Sequence, residues 1–135
     1  IAMTDTIEIE MQKTNDSKLK SVDFKNLPFG RIFSDHMFVA EYNDGAWVSA
    51  KIVPYGPMNF SPAMMSLHYG QAIFEGMKAY KTTEGDITVF RPLENWARLN
   101  KSAVRMCMPE VPEEIFMGGL TELLKLDNAW IKSNC

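Results

Sequence analysis

The sequence predicts an α+β fold: an antiparallel sheet with helices packed on it. Three observations carry that reading. Strand-like stretches come first and helix-like stretches follow, which is the order of an α+β domain rather than of an alternating α/β one. Asn43-Asp44-Gly45 sits between two strand-like stretches, and Asp-Gly supplies the positive φ angles of a tight hairpin turn. Leu93, Trp96, Leu99, Ala103 and Met106 recur at helical spacing. The 135 residues, 46% hydrophobic and 23% charged, are enough for one ordinary domain with a buried core.

Taken in order, Thr6 to Met11 alternates polar and apolar residues and reads as a short strand. Residues 12–28 are polar and charged and read as a loop. Residues 36–42 form a strand, the Asp44-Gly45 turn reverses the chain, and 47–53 is the return strand, stopped by Pro54-Tyr55-Gly56-Pro57. Ser61 and Pro62 suit the N-cap and first position of a short helix over 61–68. Phe74 to Lys81 is strand-like but interrupted by Gly76. Glu84-Gly85-Asp86 turns the chain into a strand over 87–90. Pro92 opens a helix to about Met106, expected to pack on the sheet through Trp96, Leu99 and Ala103. Glu113-Glu114 open a last helix to about Leu126, which Gly118-Gly119 weakens.

The composition narrows the function classes. A net charge of −3 gives no reason to expect nucleic acid or an anionic membrane as partner. No apolar run approaches the ~20 residues of a membrane helix. Residues 1–20 carry acids and no apolar core of a signal peptide, so the expected location is cytoplasmic. Cys107 and Cys135 do not make a disulfide framework, and the ten methionines read as core filler and pocket lining. Glycine-rich nucleotide loops and zinc-spaced cysteines are missing from the sequence. His36 and His68 stand 32 residues apart and give no metal site.

Two groups of residues could carry chemistry. Arg91, Arg98 and Arg105 are spaced by seven, which puts Arg98 and Arg105 on one helix face roughly 10 Å apart at ~1.5 Å rise per residue. A guanidinium suits a phosphate through two parallel bonds. The same arginines also fit a solvated basic face, with Glu94 pairing to Arg98 one turn away. Tyr69, Phe74 and Tyr80 cluster around Gly76, and Phe29 precedes Gly30. They fit either a ligand wall or a core.

Three stretches taken together decide between these readings: FGRIFSDHMF at 29–38, LHYGQAIFEGMKAY at 67–80 and FRPLENWARLNKSAVRMCMP at 90–109. In this order and at these separations they resemble the N-terminal domain of the branched-chain amino acid aminotransferases, over residues 29–130. The resemblance implies a pyridoxal 5'-phosphate enzyme of the class IV aminotransferase family, with the cofactor between a small and a large α+β domain and with homodimeric assembly. It implies domain bounds of 1–28 for an N-terminal strand and polar loop, 29–131 for the small domain, and 132–135 for a truncated end. It places the cofactor-phosphate arginine at Arg98, between Phe90-Arg91-Pro92 and Ser102-Ala103. Phe29, Tyr69 and Phe74 match positions that line the substrate side-chain pocket, Tyr69 serving the neighbouring subunit's site. The implied reaction moves the amino group of leucine, isoleucine or valine to 2-oxoglutarate.

One departure bears on activity. The family carries its cofactor-linking lysine far downstream, in the large domain, and none of Lys78, Lys81, Lys101, Lys125 and Lys132 matches it. No catalytic residue and no metal ligand is therefore assigned. The chain is expected to be the small domain alone, inactive without the large domain. The alternative is a non-catalytic module that keeps the small-domain fold to dimerise or bind a partner.

Overall fold

The computed structural model describes residues 8–132; Thr6 and Ile7 of the first expected strand, and Cys135, lie outside them. Three strands share one sheet, β1 (Ile9–Met11), β2 (His36–Asn43) and β3 (Ala46–Pro54), in the order β1-β3-β2. The β2–β3 hairpin is antiparallel. Asp44 and Gly45 turn it with φ of 49° and 85°, both positive as a type I′ turn requires. Glu41 pairs with Ser49 but Tyr42 with Trp47, so Val48 is an extra residue in a bulge.

β1 departs from the antiparallel expectation. It runs parallel to β3, Ile9 opposite Ala50 and Met11 opposite Ile52. The 12–35 connection crosses the end of β3, where the Tyr55 amide donates to the Asp35 carbonyl at 2.8 Å. The chain therefore enters β2 on the far side of β3. With neighbours on both edges, β3 holds the centre of the core: Ile52 is fully buried and Ala50 nearly so.

The later strands do not extend this sheet. Between the two sheets lies α1 (Met65–His68), a single turn. It starts later than expected because Ser61 and Pro62 make a turn of their own, the Met64 amide donating to the Ser61 carbonyl. β4 (Ala79–Lys81) and β5 (Ile87–Val89) then form a separate antiparallel pair. The strand expected over 74–81 pairs only through its last three residues. Burial still alternates residue by residue from Gln71 to Lys81, the mark of a half-buried extended chain. Its first part makes side-chain contacts with a helix in place of a backbone ladder.

That helix, α2 (Pro92–Arg105), packs on α3 (Glu113–Leu126), and it is α3 that lies on β2 and β3. The packing of α2 on the sheet expected through Trp96, Leu99 and Ala103 is thus replaced mainly by packing on α3. Ala103 is 1% exposed, and Trp96 Nε1 donates to the Val111 carbonyl at 2.7 Å. Asn100 clamps the same residue, donating to its carbonyl at 2.9 Å and accepting from its amide at 2.8 Å. A Schellman motif ends α2: the Met108 amide donates to the Ala103 carbonyl and the Cys107 amide to that of Val104, with Cys107 at φ 54° where glycine is usual.

Gly118 and Gly119 act as a close-packing seam in α3. A Cβ at Gly118 would come within 3.0 Å of Ile9 Cδ1, and one at Gly119 would overlap the Phe38 ring. At the end of α3, Asp127 binds His36, the first residue of β2, through both the ring and the backbone amide. No helix among the described residues is long and apolar enough to cross a membrane.

Candidate phosphate site on the second helix

Residues 71–80 run alongside α2 in the opposite direction. Gln71 Nε2 donates to the Met106 carbonyl at the C-terminal end of α2, and Glu75 meets Asn95 and Arg98 in its middle. Arg98 donates through Nε to Glu75 Oε2 at 2.7 Å and through Nη2 to Oε1. Asn95, one turn earlier on the same face, donates to Glu75 Oε1 at 3.0 Å and to the Gly76 carbonyl at 3.1 Å. The Gly76 amide adds a bond to Oε1 at 3.0 Å.

The two partners differ sharply in exposure: the Glu75 side chain is 7% exposed and that of Arg98 68%. The carboxylate is the fixed end. Its bonds from Arg98 above all, then from Asn95, pull its pKa from 4.5 to about 2, and those from Glu75 raise that of Arg98. Because the folded-state value is depressed, the pair's contribution to stability is full above the ordinary carboxylate range. It is lost as pH falls through about 2. A carbon-13 titration of the Glu75 carboxyl should give a midpoint near 2; one near 4.5 would show that Arg98 does not hold it in solution.

Two open grooves flank this bridge. The first, about 650 Å³, is lined by Met77, Lys78, Tyr80, Phe90 and Arg91 and by the α2 residues Glu94, Asn95 and Arg98. The second, about 550 Å³, lies toward the other end of α2 and is lined by Ile73, Phe74, Lys101, Ser102, Arg105 and Met106. Arg98 and Arg105 thus serve different grooves. Glu94 does not pair with Arg98; it accepts from Arg91 at 2.9 Å. Arg91 is the N-cap of α2 and holds the left-handed conformation at φ 48°.

The chain is 43% identical over 127 residues to branched-chain-amino-acid aminotransferase 2 of Bacillus subtilis, covering 93% of this chain and 34% of that protein. It is 44% identical over 124 residues to branched-chain-amino-acid transaminase 1 of the same organism, covering 91% and 35%. With the branched-chain-amino-acid aminotransferase of Mycolicibacterium smegmatis it shares 41% over 127 residues, covering 93% and 34%. No family model matches the chain. The chain belongs to the branched-chain aminotransferase family. It corresponds to the N-terminal part of the class IV enzymes, and spans about a third of the length of the curated relatives it matches.

Within this chain, the residues singled out from the sequence fall at separate places. Arg98 lines the first groove and Phe74 the second. Phe29 and Tyr69 line neither. All three aromatics are outward: Phe29 is 104% exposed, Phe74 91% and Tyr69 78%. Lys81 is tied to the Asn128 carbonyl at 3.0 Å, Lys125 to Glu122, and Lys132 lies over the Phe24 ring. Lys78 and Lys101 face the first and second grooves. Glu75 was missed from sequence, although it stands inside the Phe-Glu-Gly stretch that carries the family resemblance. A carboxylate in an otherwise apolar and small-residue stretch, Ala72 to Met77, was the available signal, because a buried acid needs a partner.

Proposed function

We propose that this chain supplies the phosphate-binding side of the active site of a branched-chain amino acid aminotransferase. The reaction is transfer of the amino group of leucine, isoleucine or valine to 2-oxoglutarate, in a cytoplasmic homodimer whose large domain supplies the linking lysine. The observation that carries this reading is Arg98. Its motif resembles that of the family's phosphate arginine, and it lines an open groove with Lys78 and Arg91. Two of its N–H groups are committed to Glu75. Nη1 and the remaining N–H of Nη2 form a second fork with no protein acceptor among the described residues, and a phosphate dianion fits that fork.

Pyridoxal phosphate, when bound, supplies the electron sink that lets bonds to the substrate α-carbon break. The part of this chain is to hold the phosphate end, so that the ring stays in register with groups outside the described residues. By the resemblance, Phe29, Tyr69 and Phe74 would contribute to an apolar wall for the branched side chain that further elements complete, Tyr69 on the neighbouring subunit's side. Their outward exposure suits residues that a second domain or subunit covers. Each buried methylene on such a wall is worth ~0.8 kcal/mol, too little to separate leucine, isoleucine and valine sharply.

The test is Arg98→Ala in the complete aminotransferase that carries this chain. Affinity for pyridoxal phosphate should fall on the order of tenfold or more, the worth of a charge-assisted bidentate contact, measured on the folded variant because loss of the Glu75 bridge also lowers stability. Unchanged cofactor affinity would refute the phosphate role.

A further inference from the structure

We infer that Glu75 is the positioning residue for Arg98: its buried carboxylate fixes the inner edge of the guanidinium, so that the outer fork is presented to the first groove. The inference rests on the reading of Arg98 as the phosphate-binding residue. It goes beyond that reading by assigning a role to a group that does not touch the ligand.

An exposed arginine spreads over many rotamers, and a ligand that needs one of them must bear the ordering cost. The Glu75–Arg98 bridge removes that freedom in advance. Every direction of the carboxylate is fixed: Oε1 accepts from Asn95, from the Gly76 amide and from Arg98 Nη2, and Oε2 accepts from Arg98 Nε. Asn95 is itself held at a second point by the Gly76 carbonyl. The anchor is therefore overdetermined, while the outer end of Arg98 stays exposed.

Charge alone gives no reason for this arrangement. A carboxylate beside the phosphate-binding arginine lowers the attraction for a dianion, so a site built only for charge would omit it. Lys78 and Arg91 line the same groove and supply positive charge without an orienting partner of this kind among the described residues, where Arg91 pairs only with exposed Glu94. Orientation is what Glu75 adds. An orienting partner behind a primary ligand group typically changes affinity by ten- to a hundredfold when removed, as with the outer partners of metal ligands.

The test is a double-mutant cycle in the complete aminotransferase, with pyridoxal phosphate and phosphate-free pyridoxal as probes and affinity read by titration of the apo protein. Glu75→Gln keeps the size and polarity of the side chain but removes the bidentate acceptor. It should weaken pyridoxal phosphate binding by about tenfold, leave pyridoxal binding unchanged, and have no further effect in an Arg98→Ala background. Asn95→Ala, which loosens Glu75 without touching either charge, should weaken the same affinity by a smaller factor, and it tests the inference if Glu75→Gln fails to fold. An equal loss for both probes, or the same loss with and without Arg98, would reduce Glu75 to a fold-stabilising residue and overturn the inference. Tighter phosphate binding in Glu75→Gln would overturn it too, by showing that charge outweighs orientation. If Arg98→Ala alone leaves both affinities intact, it is the phosphate reading of Arg98 that fails.

Discussion

Replacing Asp127 by alanine should cost about 3 kcal/mol of folding stability, roughly the sum for two buried donors left without acceptors. Asp127 ends α3 and is 7% exposed, as is His36 at the start of β2. One carboxylate oxygen accepts from the His36 backbone amide at 3.0 Å, and the other lies 2.6 Å from His36 Nδ1. On the far side of the ring, the Thr14 amide donates to Nε2 at 3.0 Å. An amide cannot donate to a protonated nitrogen, so Nε2 carries the lone pair and Nδ1 carries the proton that Asp127 accepts. The three residues link the N-terminal loop, the sheet and the end of α3, and no ring nitrogen is left for a metal. Asn at 127 is no substitute, because its amide nitrogen would face one of the two donors. Urea denaturation of the parent and Asp127→Ala reads the difference; a loss under about 1 kcal/mol would mean that the network contributes no more than one ordinary hydrogen bond.

That network also marks the limit of what the residues disclose in order. The β2–β3 hairpin is legible because its turn chemistry lies within Asp44-Gly45, and the two long helices because their apolar spacing is local. The partners of His36 and Asp127 are separated by 91 positions, and no spacing rule pairs them. The parallel pairing of β1 with β3 was hidden for the same reason: strand periodicity shows which face is buried but not which neighbour is chosen. Residues 74–81 show the converse. They read as strand-like, and the chain is extended there with burial that alternates, but only a tertiary contact decides that most of it lies along α2 instead of entering a ladder.

The candidate site was legible in one half. Arg98 follows from the motif, and its helical position from Pro92 and the spacing behind it. Its pairing did not follow: the nearest acid on the helix, Glu94, satisfies Arg91, while Arg98 reaches Glu75 across a separate segment. The aromatic residues are legible as a set but not as a place. Phe74 shares a groove with Arg105, whereas Phe29 and Tyr69 stand on the surface away from both grooves. If they form one wall, elements beyond the described residues must complete it.

Gly119→Val should destabilise the fold by about 3 kcal/mol, the upper end of the usual cost of overpacking. On helix propensity alone the change is favourable, since glycine is among the poorest helix formers, and the sequence by itself marks Gly118-Gly119 as a weak point of α3. The packing reverses that sign. Gly119 is buried on the sheet side of α3, and a Cβ there would overlap the Phe38 ring. Phe38 stands opposite Ile52, the most buried residue of the core, so the ring cannot move inward without disturbing the centre of the sheet. The bare helix backbone is what lets α3 lie flat on β2 and carry Asp127 to His36. Two comparisons separate this close approach from a general effect of valine in a helix. Val at Thr121, exposed on the same helix, should cost less than ~1 kcal/mol. Phe38→Leu should recover part of the Gly119→Val loss, because it opens the space the new side chain needs. Equal costs at 119 and 121, or no recovery in the double variant, would show that Gly119 is not a packing seam.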